Sequence, residues 1–207
     1  MLVTDIETAY DPAALPLLPS VEAAGNLKDP GKILASIAER AAKQHETMPL
    51  IPAYCRIVAI GYTLPDDSIL VDLCKGEASE REALFACWRR WAVVGQRPVF
   101  FNAAYDIPVL VTRSIVLGVP YPRISVRKYG SPDYDDLMLD LSFGGTVDYK
   151  SLDFWCARLQ LDVPEDRSTG KDVAGFVASG DWDAVEAHCR VDVAKTLALA
   201  QHLGVGR

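Results

Sequence analysis

Two acidic residues at the start of the chain are the first candidates for chemistry. Asp5 and Glu7 lie in the sequence Met1-Leu-Val-Thr-Asp-Ile-Glu-Thr8, which predicts a short strand. Side chains alternate along a strand, so both carboxylates point to the same face. Two buried carboxylates repel each other and lose hydration, and a bound cation relieves both effects. Alone the pair is weak evidence, because acid-x-acid patterns are common by chance.

Three further residues could join this pair if the chain brings them together. Asp106 follows a predicted strand over residues 97–101, at the position of a helix N-cap, so a capping role is the alternative interpretation. His188 and Asp192 lie four residues apart on a predicted helix, which puts them on the same side. A single histidine near an apolar face is usually structural, whereas a histidine one turn before an aspartate is a stronger candidate.

Together these residues suggest metal chemistry. The carboxylates of Asp5, Glu7, Asp106 and Asp192 can meet only if their elements pack side by side. If they meet, they supply the hard oxygen ligands that Mg²⁺ and Mn²⁺ prefer. Two such ions, about 3.5–4 Å apart, can activate a water and stabilise the leaving oxygen in phosphodiester cleavage. The expected cofactors are therefore two divalent ions, Mg²⁺ or Mn²⁺.

The elements that must position these residues are strands and helices in alternation. A proline-rich loop follows the first strand, and Asp29 and Pro30 predict the start of a helix that runs to about His45. Strands over 56–63 and 68–74 could form a meander with the first strand. Ser79 and Glu82 match a capping box that opens the next helix. The remaining expected helices are 106–117, 151–159, and one from Asp181 or Asp183 to about Leu203.

Bulk properties restrict the class of protein. A length of 207 residues suggests one domain, and no apolar run is long enough to span a bilayer. We expect a cytoplasmic protein without membrane contact, because no signal peptide is recognisable and the five cysteines are scattered. A net charge of −7 argues against broad, non-specific coating of nucleic acid, but it permits a local site where metal ions neutralise the carboxylates.

Two segments have basic or phosphate-loop character. Between Ile107 and Pro132 there is no acidic residue, whereas the segment contains basic side chains and tyrosines that could stack on bases; a solvated loop is the alternative. These side chains are Arg113, Arg123, Arg127, Lys128, Tyr121 and Tyr129.

Residues 168–171 are Ser-Thr-Gly-Lys, but Glu165 replaces the upstream glycine of a phosphate-binding loop, so we reject a nucleoside triphosphate site.

Three motifs in this order resemble a known family. Residues 4–8 (Thr-Asp-Ile-Glu-Thr), 102–106 (Asn-Ala-Ala-Tyr-Asp) and 188–192 (His-Cys-Arg-Val-Asp) look like the three exonuclease motifs of the DEDD superfamily of 3′–5′ exonucleases. Each motif is weak alone, but their order and spacing are specific jointly. Residues 56–61 (Arg-Ile-Val-Ala-Ile-Gly) also resemble a subgroup, often encoded by phages, related to the proofreading domain of family B DNA polymerases.

The resemblance implies a fold and a set of roles. It implies an α/β protein with a ribonuclease H-like mixed β-sheet flanked by α-helices, in which residues 1–207 form a single exonuclease domain with a helical insertion at about 11–52. By resemblance, Asp5, Glu7 and Asp192 hold the metal ion that carries the nucleophilic water, and Asp5 and Asp106 contact the second ion. The residues expected near the substrate are Asn102, Thr8, Tyr105 and Lys171.

One departure from the family pattern concerns His188. The superfamily places either Tyr four residues before the final Asp or His five residues before it, whereas His188 is four before Asp192. We favour a histidine that orients or deprotonates the attacking water; the alternative is that a water chain does this work.

Several functions remain open from the sequence. The expected substrate is the 3′ end of a single-stranded nucleic acid, with DNA favoured over RNA, and a replication or repair protein is a possible partner. The alternatives are an exoribonuclease, a non-catalytic nucleic-acid-binding module of the same fold, and a structural interaction domain.

Overall fold

A three-stranded antiparallel meander forms the first part of the central sheet. The computed structural model describes residues 1–94, 97–126 and 130–205. Strands β1 (Thr4–Tyr10), β2 (Cys55–Thr63) and β3 (Ile69–Leu73) pair in this order, which confirms the predicted meander. The register of β1 and β2 shifts after Glu7, because Glu7 pairs with Ala59 and the next residue pairs with Ile57. Such an extra residue on one strand re-aims side chains locally.

Two short parallel strands extend the sheet. Strand β4 (Val99–Phe100) pairs in parallel with β5 (Asp135–Asp136). A parallel bridge between Val3 and Val99 joins this pair to the meander. The strand order is therefore β3-β2-β1-β4-β5, with antiparallel pairs on one side of β1 and parallel pairs on the other. The strand expected over 97–101 is shorter than predicted.

Helices cover both faces of the sheet. On one face, α2 (Glu77–Val94) and α3 (Ala103–Leu117) pack on β2. On the other face, α7 (Trp182–Leu203) packs on β2 and α6 (Val173–Ser179) packs on β1. Side chains of β2 contribute to apolar clusters on both faces of the sheet. The shorter helices are α4 (Leu137–Leu141) and α5 (Leu152–Arg158). This arrangement confirms the predicted α/β fold, a ribonuclease H-like mixed sheet flanked by helices.

The start of two helices differs from the sequence-based expectation. Helix α2 begins at Glu77, so the capping box at Ser79 is wrong; the Ser79 hydroxyl instead accepts a hydrogen bond from the Gly76 N–H at 3.0 Å. Helix α3 begins at Ala103 after the cap position Asn102, which places Pro108 inside the helix rather than in its first turn. Both differences arise because the helices begin two to three residues before the expected caps.

The segment expected as an insertion forms a helix at the surface. Helix α1 (Pro30–Thr47) begins as predicted, with the Asp29 carboxylate accepting from the Lys32 N–H at 2.9 Å. Two 3₁₀ turns, 12–17 and 48–50, flank it. No side chain of α1 is buried, all of its residues being described, so the helix adds little to the core. In the described part of the chain, none of the helices is long and apolar enough to cross a membrane.

Candidate active site

Strand β1 places two carboxylates at one end of a cavity. The side chains of Asp5 and Glu7 face the side of the sheet that α7 covers, whereas Ile6 between them packs in the core under α3. Glu7 is only 7% exposed. Asp5 Oδ2 is buried and has no hydrogen-bond partner among the described residues. A buried, unpaired carboxylate oxygen is costly, so this atom is available as a ligand for a cation.

Helix α3 contributes a third carboxylate. Asp106 lies in the first turn of α3, where its N–H donates to the Asn102 carbonyl at 3.2 Å, and its side chain is buried. The interpretation of Asp106 as a simple N-cap is therefore wrong. The capping carboxylate nearby is Asp136, which accepts from the Leu139 N–H at 3.0 Å and from the Ala104 N–H at 3.2 Å. Asp106 is thereby free to face the cavity.

Helix α7 can reach these carboxylates because β2 has a glycine at the contact. Gly61 pairs directly with Asp5, and a Cβ at Gly61 would lie 2.7 Å from both Cys189 Sγ and Val193 Cγ2. Real Cβ atoms do not approach so closely, so any larger residue would push α7 away from the sheet. The close approach brings His188 and Asp192 of α7 beside β1.

His188 is held by hydrogen bonds on one side and faces carboxylates on the other. Its Nδ1 lies 2.5 Å from Asp166 Oδ2 and 3.2 Å from Ser168 Oγ. Its Nε2 lies 3.6 Å from Glu7 Oε1 and 3.9 Å from Asp192 Oδ2. The imidazole is 4% exposed, and within the described chain Nε2 has no hydrogen-bond partner.

The contact between Asp166 and His188 was not predicted from the sequence. Asp166 lies 22 residues before His188, in the loop between α5 and α6. Its only signal in the sequence is the Asp-Arg-Ser pattern of a local turn, in which Asp166 Oδ1 accepts from the Ser168 N–H and hydroxyl. Such turns occur in many loops, so the pattern could not have revealed the contact with His188.

A cavity of about 340 Å³ joins the candidate residues. Its wall includes the four predicted carboxylates and His188, together with two of the predicted substrate-binding residues. The lining residues are Asp5, Ile6, Glu7, Phe101, Asn102, Tyr105, Asp106, Ser151, Leu152, Asp153, Gly170, His188 and Asp192.

The electrostatics of this site oppose four ionised carboxylates. Burial, with repulsion from Glu7, Asp106 and Asp192, raises the pKa of Asp5 well above its ordinary value. Burial followed by repulsion from Asp192 does the same to the pKa of Glu7. Burial also raises the pKa of Asp106. The pKa of Asp192 is raised by burial, although His188 and Lys195 act in the opposite direction.

Lys195 supplies a positive charge next to Asp192. Its Nζ lies 2.6 Å from Asp153 Oδ1 and 3.7 Å from Asp192 Oδ1, and its side chain is 7% exposed. Burial opposes the ammonium form, but these two carboxylates outweigh it and raise the pKa of Lys195. This one ammonium group cannot balance the four carboxylates if all of them are ionised.

The donor set fits divalent metal ions. Ligand atoms of Asp5, Glu7 and Cys189 lie within 4.8 Å of one another, and so do those of Glu7, His188 and Asp192. Burial raises the pKa of Cys189 well above its ordinary value, so the thiol stays protonated and the hard carboxylate oxygens dominate. Such oxygens are suited to Mg²⁺ or Mn²⁺. A metal ion would also satisfy Asp5 Oδ2.

The predicted substrate-binding residues take different positions. Asn102 and Tyr105 line the cavity. Tyr105 Oη also donates to the Pro49 carbonyl at 2.6 Å and lies 2.7 Å from Thr8 Oγ1. The Thr8 hydroxyl is thus engaged inside the protein. Lys171 is exposed and follows the lining residue Gly170, without belonging to the described lining itself.

Only some side chains of the predicted basic segment are exposed at the surface. Arg113 is buried and forms ion pairs with Glu80 at 2.7 Å and with Asp11 at 2.7 Å, so its assignment to a nucleic-acid patch is wrong. Arg123 and Tyr121 are exposed. Three further members of the prediction, Arg127, Lys128 and Tyr129, lie outside the described residues.

Comparison with solved structures identifies the same fold in a polymerase. The family B DNA polymerase from the hyperthermophilic archaeon Pyrobaculum calidifontis is similar over 98% of this chain, with a TM-score of 0.64 and 17% sequence identity. The match covers 24% of that polymerase, so this chain spans about a quarter of its length. No protein-family model matches the sequence, and no curated protein is similar to it. At this identity the likeness establishes the fold.

Proposed function

We propose that this protein is a metal-dependent 3′–5′ exonuclease that hydrolyses phosphodiester bonds of single-stranded DNA. One observation carries the proposal: Asp5, Glu7, Asp106 and Asp192, from three separate elements, line one cavity beside His188. The mutual repulsion of these groups is unfavourable for folding, and a chain keeps such a cluster most readily where cations bind. We further propose that residues 1–207 act as a single exonuclease domain in which residues 11–52, hereafter the insertion, are an addition.

The carboxylates would divide between two metal ions. Asp5, Glu7 and Asp192 would hold one ion, and Asp5 with Asp106 would hold the second. Two divalent ions supply Lewis acidity and charge neutralisation for phosphodiester hydrolysis. Asp5 is suited to a place in both sets, because its Oδ2 is buried without a hydrogen-bond partner among the described residues.

The protein's own groups would act on the water and on the strand. His188 Nε2 faces Glu7 and Asp192, and there it would orient or deprotonate the attacking water. Asn102 and Tyr105 line the same cavity and would contact the terminal nucleotide. A volume of about 340 Å³ is near the small end of ligand pockets, about 300–1,000 Å³, which favours a chain end over a duplex.

Digestion of labelled strands tests the proposal. Single-stranded DNA and RNA of the same sequence, labelled at the 5′ end, are incubated with Mg²⁺, Mn²⁺ or EDTA. We expect a ladder of shortened DNA products that requires metal and is abolished in Asp5→Asn, an isosteric change. Asp162→Asn, an exposed residue outside the site, is the matched control and should digest normally.

The other outcomes are equally informative. Release of a single labelled mononucleotide would show the opposite polarity, and faster digestion of RNA would make the protein an exoribonuclease. No cleavage of either strand by folded protein with any metal would refute the proposal and favour a binding module of the same fold.

A further inference from the structure

We propose that Asp166 is a positioning residue that holds the imidazole of His188 with Nε2 facing Glu7 and Asp192. The inference rests on the proposed exonuclease function and adds to it a residue outside the three motifs. It is carried by the 2.5 Å contact between His188 Nδ1 and Asp166 Oδ2, in a site from which the imidazole has almost no access to solvent.

Asp166 is suited to this role because its own carboxylate is fixed. Oδ1 accepts from the Ser168 N–H at 2.8 Å and from the Ser168 hydroxyl at 2.6 Å, which leaves Oδ2 for the imidazole. Burial opposes ionisation, but the bonds from Ser168 and His188 outweigh it and lower the pKa of Asp166 to about 2. The carboxylate is therefore ionised at neutral pH, and an ionised carboxylate can only accept hydrogen bonds.

It follows that His188 Nδ1 must be the donor. A proton on Nδ1 fixes which ring nitrogen points away from Asp166, since the two nitrogens lie on opposite sides of the ring. The other nitrogen, Nε2, then lies between Glu7 Oε1 at 3.6 Å and Asp192 Oδ2 at 3.9 Å. Without Asp166 the ring could rotate about χ1 and χ2, and Nε2 would lose this placement.

This contact is compatible with the four-residue spacing between His188 and Asp192 in the third motif. A histidine four residues before Asp192 lies directly one helical turn away, on the face of α7 that meets β1. From that position the ring reaches the carboxylates, but its orientation needs a second contact from outside the helix. Asp166 supplies this contact from the loop that precedes α6.

Nuclear magnetic resonance of the imidazole groups provides a test that does not depend on activity. The chain has three histidines, of which His45 and His202 are exposed, so the buried His188 is readily assigned. We expect a slowly exchanging, downfield Nδ1–H proton from His188 in metal-free protein at neutral pH. An unprotonated Nδ1 in His188 of the unaltered protein would overturn the proposal, even if the variants failed to fold.

Kinetics of a double-mutant cycle provide the second test. Asp166→Ala should lower kcat by about 10–100-fold, as loss of a supporting contact commonly does, while KM stays unchanged because no substrate contact is removed. In a His188→Ala background, Asp166→Ala should cause no further loss of kcat. A matched control, Asp162→Asn, replaces an exposed acid near the start of the same loop and should leave kcat unaltered.

The outcomes separate this proposal from the proposed function. If the unaltered protein digests DNA and Asp166→Ala is equally active, or if Asp166→Ala loses as much activity without His188 as with it, positioning is refuted and the exonuclease stands. If the unaltered protein cleaves no strand, the exonuclease is refuted, while the Nδ1–H signal still reports whether Asp166 holds the ring.

Discussion

Replacing Asp5 with asparagine should abolish metal-dependent turnover and yet stabilise the metal-free protein. Asp5 lies at the centre of the carboxylate cluster, and its Oδ2 is buried without a partner in the described chain. Asparagine keeps the shape of the side chain and removes its charge. The opposite signs of the two effects distinguish a residue that holds metal ions from one that supports the fold.

The size of the stabilisation follows from the geometry. Ligand oxygens of Asp5 and Glu7 lie within 4.8 Å of each other. Two unit charges at that separation repel by about 3.5 kcal/mol at an effective dielectric constant of about 20. Protonation relieves part of this repulsion, so we expect a gain of about 2 kcal/mol at pH 8. For a domain of this size that corresponds to a melting temperature higher by about 4–8 °C.

The raised pKa of Asp5 determines how the stabilisation by Asp5→Asn depends on pH. Because the pKa of Asp5 is raised in the folded protein, the folded state keeps a proton over a pH range in which the unfolded chain has lost it. The ionised Asp5 carboxylate therefore destabilises the folded protein fully above its raised pKa, and this destabilisation disappears below the ordinary aspartate pKa. The gain in Asp5→Asn should be largest at pH 8 and should shrink as the pH falls toward 5.

Thermal unfolding followed by circular dichroism measures these quantities in EDTA and in Mg²⁺. With Mg²⁺ the unaltered protein should gain more stability than the variant, because a ligand that binds only the folded state stabilises it. The exposed Asp162→Asn variant should shift neither curve. A lower melting temperature for Asp5→Asn in EDTA at pH 8, or a gain independent of pH, would refute the reasoning.

Three further changes test the framework around the site. Gly61→Ala should lower both thermal stability and the proposed nuclease activity, because its Cβ would meet Cys189 Sγ at 2.7 Å; an equally stable and active variant would contradict the close approach of α7. Arg113→Leu leaves Glu80 buried without its ion pair and should lower the free energy of unfolding by about 3–5 kcal/mol in urea titrations, whereas a negligible change would show that the pair is unimportant. Tyr105→Phe removes the hydroxyl that contacts the insertion, at a cost of about 1 kcal/mol, and should speed limited proteolysis there; an unchanged digestion rate would argue against this anchor.

The insertion is attached to the domain at both ends. Asp11 at its start pairs with Arg113 of α3, and Pro49 near its end accepts a hydrogen bond from Tyr105 of the same helix. Since Tyr105 also lines the cavity, the insertion is coupled to the wall of the candidate active site. Its own helix α1 contributes no buried side chain, whereas Ala14 and Met48 on either side of α1 are buried, so the attachment lies at the two ends of the insertion.

Features that depend on neighbouring residues were predictable from the sequence. Alternation of side chains placed Asp5 and Glu7 on one face, helical periodicity placed His188 beside Asp192, and Asp29 with Pro30 marked the start of α1. These features depend on residues a few positions apart, and the strand and helix periods connect them directly. The meander follows from the same patterns, whereas the α/β class was implied by the resemblance of the three motifs to a known family.

Contacts between distant residues were decided by the tertiary structure. The sequence could not show that Asp106 turns into the cavity rather than capping α3, that Arg113 is buried against Glu80, or that Asp166 contacts His188 across 22 positions. Each depends on how elements pack, and the same residue types serve as caps, surface charges and turn formers elsewhere. Packing α7 against a glycine of β2 brings the scattered carboxylates into one site, and no local pattern contains that information.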